Sequence, residues 1–188
     1  GSEMCIRDRE TISPDLLADQ QALLNRFFVV DPNTSVLPGE IDGSTLLGKD
    51  LTLPENAEGP QILIYHTHSQ ETFADSIPGN AQTGIMGVGE VLAEILRKQY
   101  GYNVMHHMGQ YDVEKRDYAY SNSLPALEAI LKENPSIEVV IDLHRDEVAE
   151  GTRLVTEIGG KKMARFMFFN GLSRTRPVSY THLRAHET

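Results

Sequence analysis

Ile62-Leu-Ile-Tyr-His-Thr-His-Ser-Gln-Glu71 is the stretch on which the fold turns. Its first four residues are apolar without alternation, the pattern of a strand buried on both faces of a parallel sheet. Six polar residues follow at once, so the strand runs straight into a loop. Ile137-Glu-Val-Val-Ile-Asp-Leu143 repeats the arrangement and breaks into His144-Arg145-Asp146. Between the two, Ile85, Val88, Leu92, Ile95 and Leu96 recur at helical spacing up to the Gly101 region, and Tyr102 to His106 reads as a further strand. Leu124, Leu127, Ile130 and Leu131 predict another helix, with Ser121 or Asn122 as its cap and Pro135 just beyond its end. Strands alternating with helices of this length predict an α/β fold, a mixed and mainly parallel sheet flanked by helices.

Outward from this centre the signals weaken. Arg153–Thr156 and Ala164–Phe169 are two further strand candidates. On the other side, Leu16, Leu17, Leu23, Leu24, Phe27 and Phe28 make one apolar stripe, predicting a helix over Pro14–Phe28. Residues 31–60 are rich in Pro, Gly, Asn and Asp and read as irregular. Leu37, Leu46, Leu47, Leu51 and Leu53 are placed there to cover an apolar edge. The extreme ends do not read as part of the fold. Gly1-Ser2 resembles an expression scar, and Met4-Cys-Ile-Arg-Asp-Arg9 reads as a translated transposase end of the kind used for sequencing libraries. Val178 to Thr188 reads as the opposite strand of that element, with ordinary termini as the alternative. The expected organisation is a tag- and adapter-derived tail over 1–9, a lead-in over 10–60, the α/β domain over 61–176 and a second adapter-derived tail over 177–188.

The chain of 188 residues carries a net charge of −10 and no basic run, which argues against a nucleic-acid partner. The single cysteine, Cys5, falls in the first tail, so the natural segment has no disulfide, thiolate metal site or cysteine nucleophile. No apolar run reaches the roughly 20 residues that span a bilayer.

Ligands of open α/β sheets sit beyond the carboxyl ends of the strands. Right-handed crossovers keep the two apolar strands parallel, so their loops emerge on one edge and His68 comes within reach of His144. His68 and Glu71 are three apart and can face one side of a turn. With His144 they form a two-histidine, one-carboxylate donor set of the kind that binds catalytic Zn²⁺. His66 competes with His68 for the first position, and surface-loop or sheet-capping roles remain open for all of these histidines. His106 and His107 read as structural. Asp142 shares a strand face with His144 and is placed to fix its tautomer. Arg145 is a candidate for binding a substrate carboxylate or oxyanion, with an ion pair to Asp146 as the alternative. Ser69 lacks the strand-turn-helix setting of a nucleophile.

Ile62-Leu-Ile-Tyr-His-Thr-His-Ser-Gln-Glu-Thr-Phe73, Val88-Gly-Glu90, Asp112 with Tyr118-Ala-Tyr-Ser121, and Ile141-Asp-Leu-His-Arg-Asp146 resemble, in order and spacing, the motifs of the stage II sporulation protein P family. The resemblance implies a three-layer fold like that of zinc-dependent N-acetylmuramoyl-L-alanine amidases, with His68 favoured over His66 as ligand. It implies cleavage of the peptidoglycan amide between glycan and stem peptide, cross-link endopeptidase activity, and a role in engulfment of the forespore. Stage II sporulation proteins D and M are the implied partners, and the implied location is extracytoplasmic, membrane-anchored on the wall side of the mother-cell membrane. Asp142, Arg145 and Asp146 map onto the family's D-x-H-R-D motif. The family's general-base glutamate lies in a later motif, beyond Arg176, so this chain is expected to bind zinc and hydrolyse wall poorly. A zinc carboxypeptidase or deacylase, and a catalytically silent wall-binding module, are the competing expectations.

Overall fold

A computed structural model describes residues 13–54, 57–149, 151–172 and 181–185. The chain divides into two units, residues 52–149 and the remainder on either side of them.

In the outer unit, the single helix predicted over Pro14–Phe28 is two: α1 (Pro14–Ala18) and α2 (Gln20–Phe27). Asp19 breaks them apart. Its backbone is extended and its side chain accepts from Ala22 N–H at 2.9 Å, capping the second helix. An aspartate gains more from capping free N–H groups than from continuing a helix. Leu23 and Leu24 of α2 bury against Ile41, with Leu17, Phe27 and Phe28 packed around them. Strand β1 (Phe28–Val30) follows, and the lead-in holds one short helix, α3 (Gly43–Leu47), capped by Asp42. Leu37, Leu46, Leu47 and Leu51 do not cover an apolar edge, since all four are exposed; Leu53 alone of that group packs on a core.

The inner unit is built on β2 (Ile62–Tyr65), the central strand of a parallel sheet ordered β3-β2-β4, with β3 spanning Val104–His106 and β4 Val139–Asp142. This is the mixed α/β arrangement the sequence predicts. Leu63 and Ile64 are fully buried, as expected for a strand without polar alternation. Ile62 and Ile64 pack on Ala93 of α4 (Ile85–Tyr100). That helix stops at Gly101, whose φ of 75° is left-handed. Gly101→Ala is expected to cost about 1 kcal/mol in urea denaturation, because a Cβ disfavours that backbone region.

The following helix, α5 (Ala119–Glu133), begins earlier than predicted. Neither Ser121 nor Asn122 caps it. A 3₁₀ turn over Arg116–Tyr118 leads in, and Ala119 and Ser123 are buried on its inner face. Tertiary packing overrides the local cap signal. Among the described residues no helix is long and apolar enough to cross a membrane.

Beyond residue 150 the outer unit resumes with β5 (Val155–Ile158) and β6 (Lys161–Ala164), an antiparallel hairpin. Its two-residue turn is Gly159-Gly160, both at positive φ, which matches the twist of the strands. This turn shifts both strands from the predicted Arg153–Thr156 and Ala164–Phe169. Strands β7 (Phe169–Leu172) and β8 (Thr181–Ala185) join β1 in an antiparallel sheet ordered β1-β8-β7. The strand β8 thus falls within the adapter-like 177–188. Backbone pairing is open to any extended sequence and has no bearing on the origin of these residues. The tail over 1–9 lies outside the described residues.

Candidate metal-binding site

The parallel register pairs Tyr65 with Asp142, so β2 and β4 end side by side and their loops leave the same edge. Asp142 ties the two ends together. Its carboxylate accepts from Thr67 N–H at 2.9 Å and from Thr67 Oγ1 at 2.7 Å, and it meets His144 Nε2 at 2.9 Å. Thr67 and Ser69 point inward and are fully buried. Ser69 Oγ donates to Asp112 Oδ1 at 2.7 Å, and Gln70 N–H reaches the other oxygen at 3.3 Å. The loop after β2 is therefore held from both sides by carboxylates, which leaves His68 and Glu71 directed at the end of β4.

The rings of His68 and His144 lie 5.4 Å apart between centroids. His144 Nδ1 is 3.6 Å from Glu71 Oε1. Glu71 also accepts from Arg116 Nη2 at 3.0 Å and from the backbone N–H of Arg145 at 2.5 Å. Tyr120 walls the cluster, its ring edge-on to His68 at 5.5 Å and stacked on His144 at 6.4 Å. His68 Nδ1 is buried with no hydrogen-bond partner, 3.7 Å from Asp112 Oδ2. A buried imidazole nitrogen left unpaired is costly unless something else is to bind it.

Charge follows from these contacts. Burial pushes the His144 imidazole down, but its bonds to Asp142 and Glu71 outweigh this and raise it to about 9. Burial pushes the Glu71 carboxyl up, yet His144, the Arg145 N–H and Arg116 hold it below the usual range. Asp142 is likewise depressed, burial being outweighed by His144 and Thr67. His68 is lowered by burial, then by Arg116 and His144, so its ring is neutral and able to donate a lone pair. The hydroxyl of Tyr120 is raised, first by burial and then by Asp142 and Glu71, and stays protonated.

The three predicted ligands His68, Glu71 and His144 are thus brought together from two strand ends. Asp142 lies against His144, as their shared strand face predicts. Its bond to His144 Nε2 leaves Nδ1 turned toward Glu71. The guanidinium of Arg145 is braced on the loops, donating from Nε to the Thr72 carbonyl at 2.8 Å and from Nη1 to the Asp146 carbonyl at 3.2 Å. Asp146 is exposed at the rim. His66 turns away from the cluster, and His107 stacks on Tyr111. Arg116, Asp112 and Tyr120 were not assigned to the site, although Asp112 and the Tyr118–Ser121 stretch were among the motifs that carry the resemblance. They come from loop and helix-start positions, where no periodicity marks a shared face.

The chemistry of the donor set, together with the orphaned nitrogen of His68, fits a zinc ion. The side chains are not drawn tightly around one point: among the described residues, no group of three or more His, Cys, Asp or Glu is placed to hold a metal ion as it stands.

Fold and site define an α/β protein with a histidine–carboxylate cluster at the carboxyl edge of its parallel strands. The chain belongs to the stage II sporulation protein P family, whose sequence model matches residues 21–183. It is 28% identical over 123 residues to stage II sporulation protein P of Bacillus subtilis (strain 168), a match covering 58% of this chain and 30% of that protein. The chain thus spans under a third of the length of that curated relative. No solved structure matches it.

Proposed function

We propose that this chain is the metal-binding part of a peptidoglycan hydrolase that cleaves the N-acetylmuramoyl-L-alanine amide during sporulation engulfment. The observation that carries the reading is the gathering of His68, Glu71 and His144, with His68 Nδ1 buried and unpaired. These three residues would hold Zn²⁺, which supplies Lewis acidity to polarise the amide carbonyl. Around them the chain's own groups orient and pack. Asp142 fixes the tautomer of His144, Arg116 and the Arg145 N–H hold Glu71, and the Tyr120 ring packs against both imidazoles. The same reading takes peptidoglycan as substrate and stage II sporulation proteins D and M as partners. It places the full-length protein outside the cytoplasm, anchored to the membrane.

Zinc content of the purified chain tests the reading. Wild type is expected to bind about one Zn²⁺, the stoichiometry of a three-ligand site, and His68→Ala and His144→Ala to bind none. Digestion of purified wall should release L-alanine amino termini. Release of free terminal amino acids instead would mark a carboxypeptidase.

A second reading, a wall-binding module without catalysis, is favoured by one observation. Both oxygens of Glu71 already accept hydrogen bonds, from Arg116 and Arg145. Wall co-sedimentation that survives His68→Ala, with no zinc in the wild type, selects it.

A further inference from the structure

His66 and His106 belong to neighbouring parallel strand ends, where the register sets Ile64 against His106. The His66 residue is fully buried and the His106 side chain is 1% exposed. His66 Nδ1 lies 2.9 Å from the Leu143 carbonyl oxygen, and its Nε2 lies 2.9 Å from His106 Nε2. His106 Nδ1 in turn lies 2.7 Å from Glu90 Oε2. A carbonyl only accepts, so His66 donates from Nδ1 and offers Nε2 as an acceptor. His106 then donates from Nε2 to His66 and from Nδ1 to Glu90. The bond to His106 keeps the Glu90 carboxyl below its usual range, in keeping with these roles. A continuous line of hydrogen bonds runs from Glu90 on α4 through two rings to the carbonyl immediately before His144.

Gly89 adds a separate observation. A Cβ there would lie 2.5 Å from His66 Nε2 and 2.7 Å from His106 Nε2, in the space of the bond between the rings. The consecutive Gly89 and Glu90 therefore serve one imidazole pair, the first by leaving room and the second by accepting.

We propose that Glu90, His106 and His66 are positioning residues that hold the Leu143 carbonyl, and through it the ring of His144, in place for a ligand. The peptide unit is planar, so anchoring the Leu143 oxygen fixes the orientation of the bond leading into His144. The Leu143 N–H is already held by the Tyr65 carbonyl at 3.0 Å, which leaves that residue pinned at both polar groups. His66 acts through the backbone and is not a ligand.

The function of this network, though not its existence, rests on the metal reading. The test uses the full chain labelled with ¹⁵N-histidine. Wild type is expected to show scalar coupling across the hydrogen bond between the two Nε2 atoms. Glu90→Ala is expected to weaken zinc binding about tenfold, the lower end of the effect of losing an outer partner. Glu90→Gln, whose amide oxygen still accepts from His106, should restore most of it. Absent coupling, or wild-type zinc affinity in Glu90→Ala, overturns the proposal. If the wild type binds no zinc, the metal reading falls while this one is decided by the coupling and by the His144 ring signals. Displaced signals in Glu90→Ala then support it, and unmoved signals overturn it.

Discussion

Asp142→Ala is expected to destabilise the metal-free protein by about 2–3 kcal/mol and to weaken zinc binding about 10–100-fold. The carboxylate bridges the ends of two strands through Thr67 N–H, Thr67 Oγ1 and His144 Nε2. Truncation leaves buried Thr67 with an unpaired donor and a hydroxyl without its acceptor. It also strips His144 of the partner that fixes its tautomer. Removing one member of a fully buried ion pair costs about 3–5 kcal/mol, and the figure is discounted because Asp142 retains some solvent contact. Asp142→Asn should fall between, keeping one acceptor for Thr67 but presenting an NH₂ toward His144. Urea denaturation and zinc titration measure the two effects separately. An alanine variant as stable as wild type would show that no brace exists.

The second large effect is on pH. His144 is held between Asp142 and Glu71 with its proton affinity raised to about 9. Zinc needs the neutral ring, so binding expels that proton. Zinc affinity should therefore climb about tenfold per pH unit below that value, or about a hundredfold from pH 6.5 to 8.5. Stability without metal runs the opposite way. A group whose folded-state proton affinity is raised stabilises fully below its unfolded value, near 6.5, and loses that contribution as pH rises through about 9. Asp142 and Glu71 are depressed, so their contribution is present above their unfolded values of 3.8 and 4.5 and fades as pH falls further. His66, His68 and His107, lowered by burial, pull the other way below 6.5, where the unfolded chain binds more protons. The metal-free protein should therefore be most stable near roughly pH 6.5. Thermal melts with and without zinc across pH 4–9 check this. A flat zinc affinity over that range would remove His144 from the ligand set.

Much of the inner unit was legible because its signals are local. Ile62–Tyr65 has no polar alternation, the pattern of a strand buried on both faces, and Leu63 and Ile64 are fully buried. The apolar spacing of α4 and the left-handed stop at Gly101 are likewise read from neighbours in the chain. Where prediction slipped, a competing local choice or a tertiary contact won. Asp19 capped a second helix instead of continuing the first, the tight Gly159-Gly160 turn drew both hairpin strands toward it from their presumed positions, and buried Ala119 started α5 ahead of its polar cap candidates.

By itself the sequence determined that two apolar strands (of which only the first is buried, Val140 of the second being exposed) end in histidine-bearing loops, and that parallel pairing must bring those loops to one edge. That follows from hydrophobic patterning and the handedness of crossovers, which act on any chain of this pattern. Only the tertiary structure decided what each polar side chain does there. It turned His66 inward to a backbone carbonyl, set Asp142 across both strand ends, and brought Arg116 and Tyr120 onto Glu71 and His68. Such pairings depend on distances between residues remote in the chain, and no spacing along the sequence encodes them.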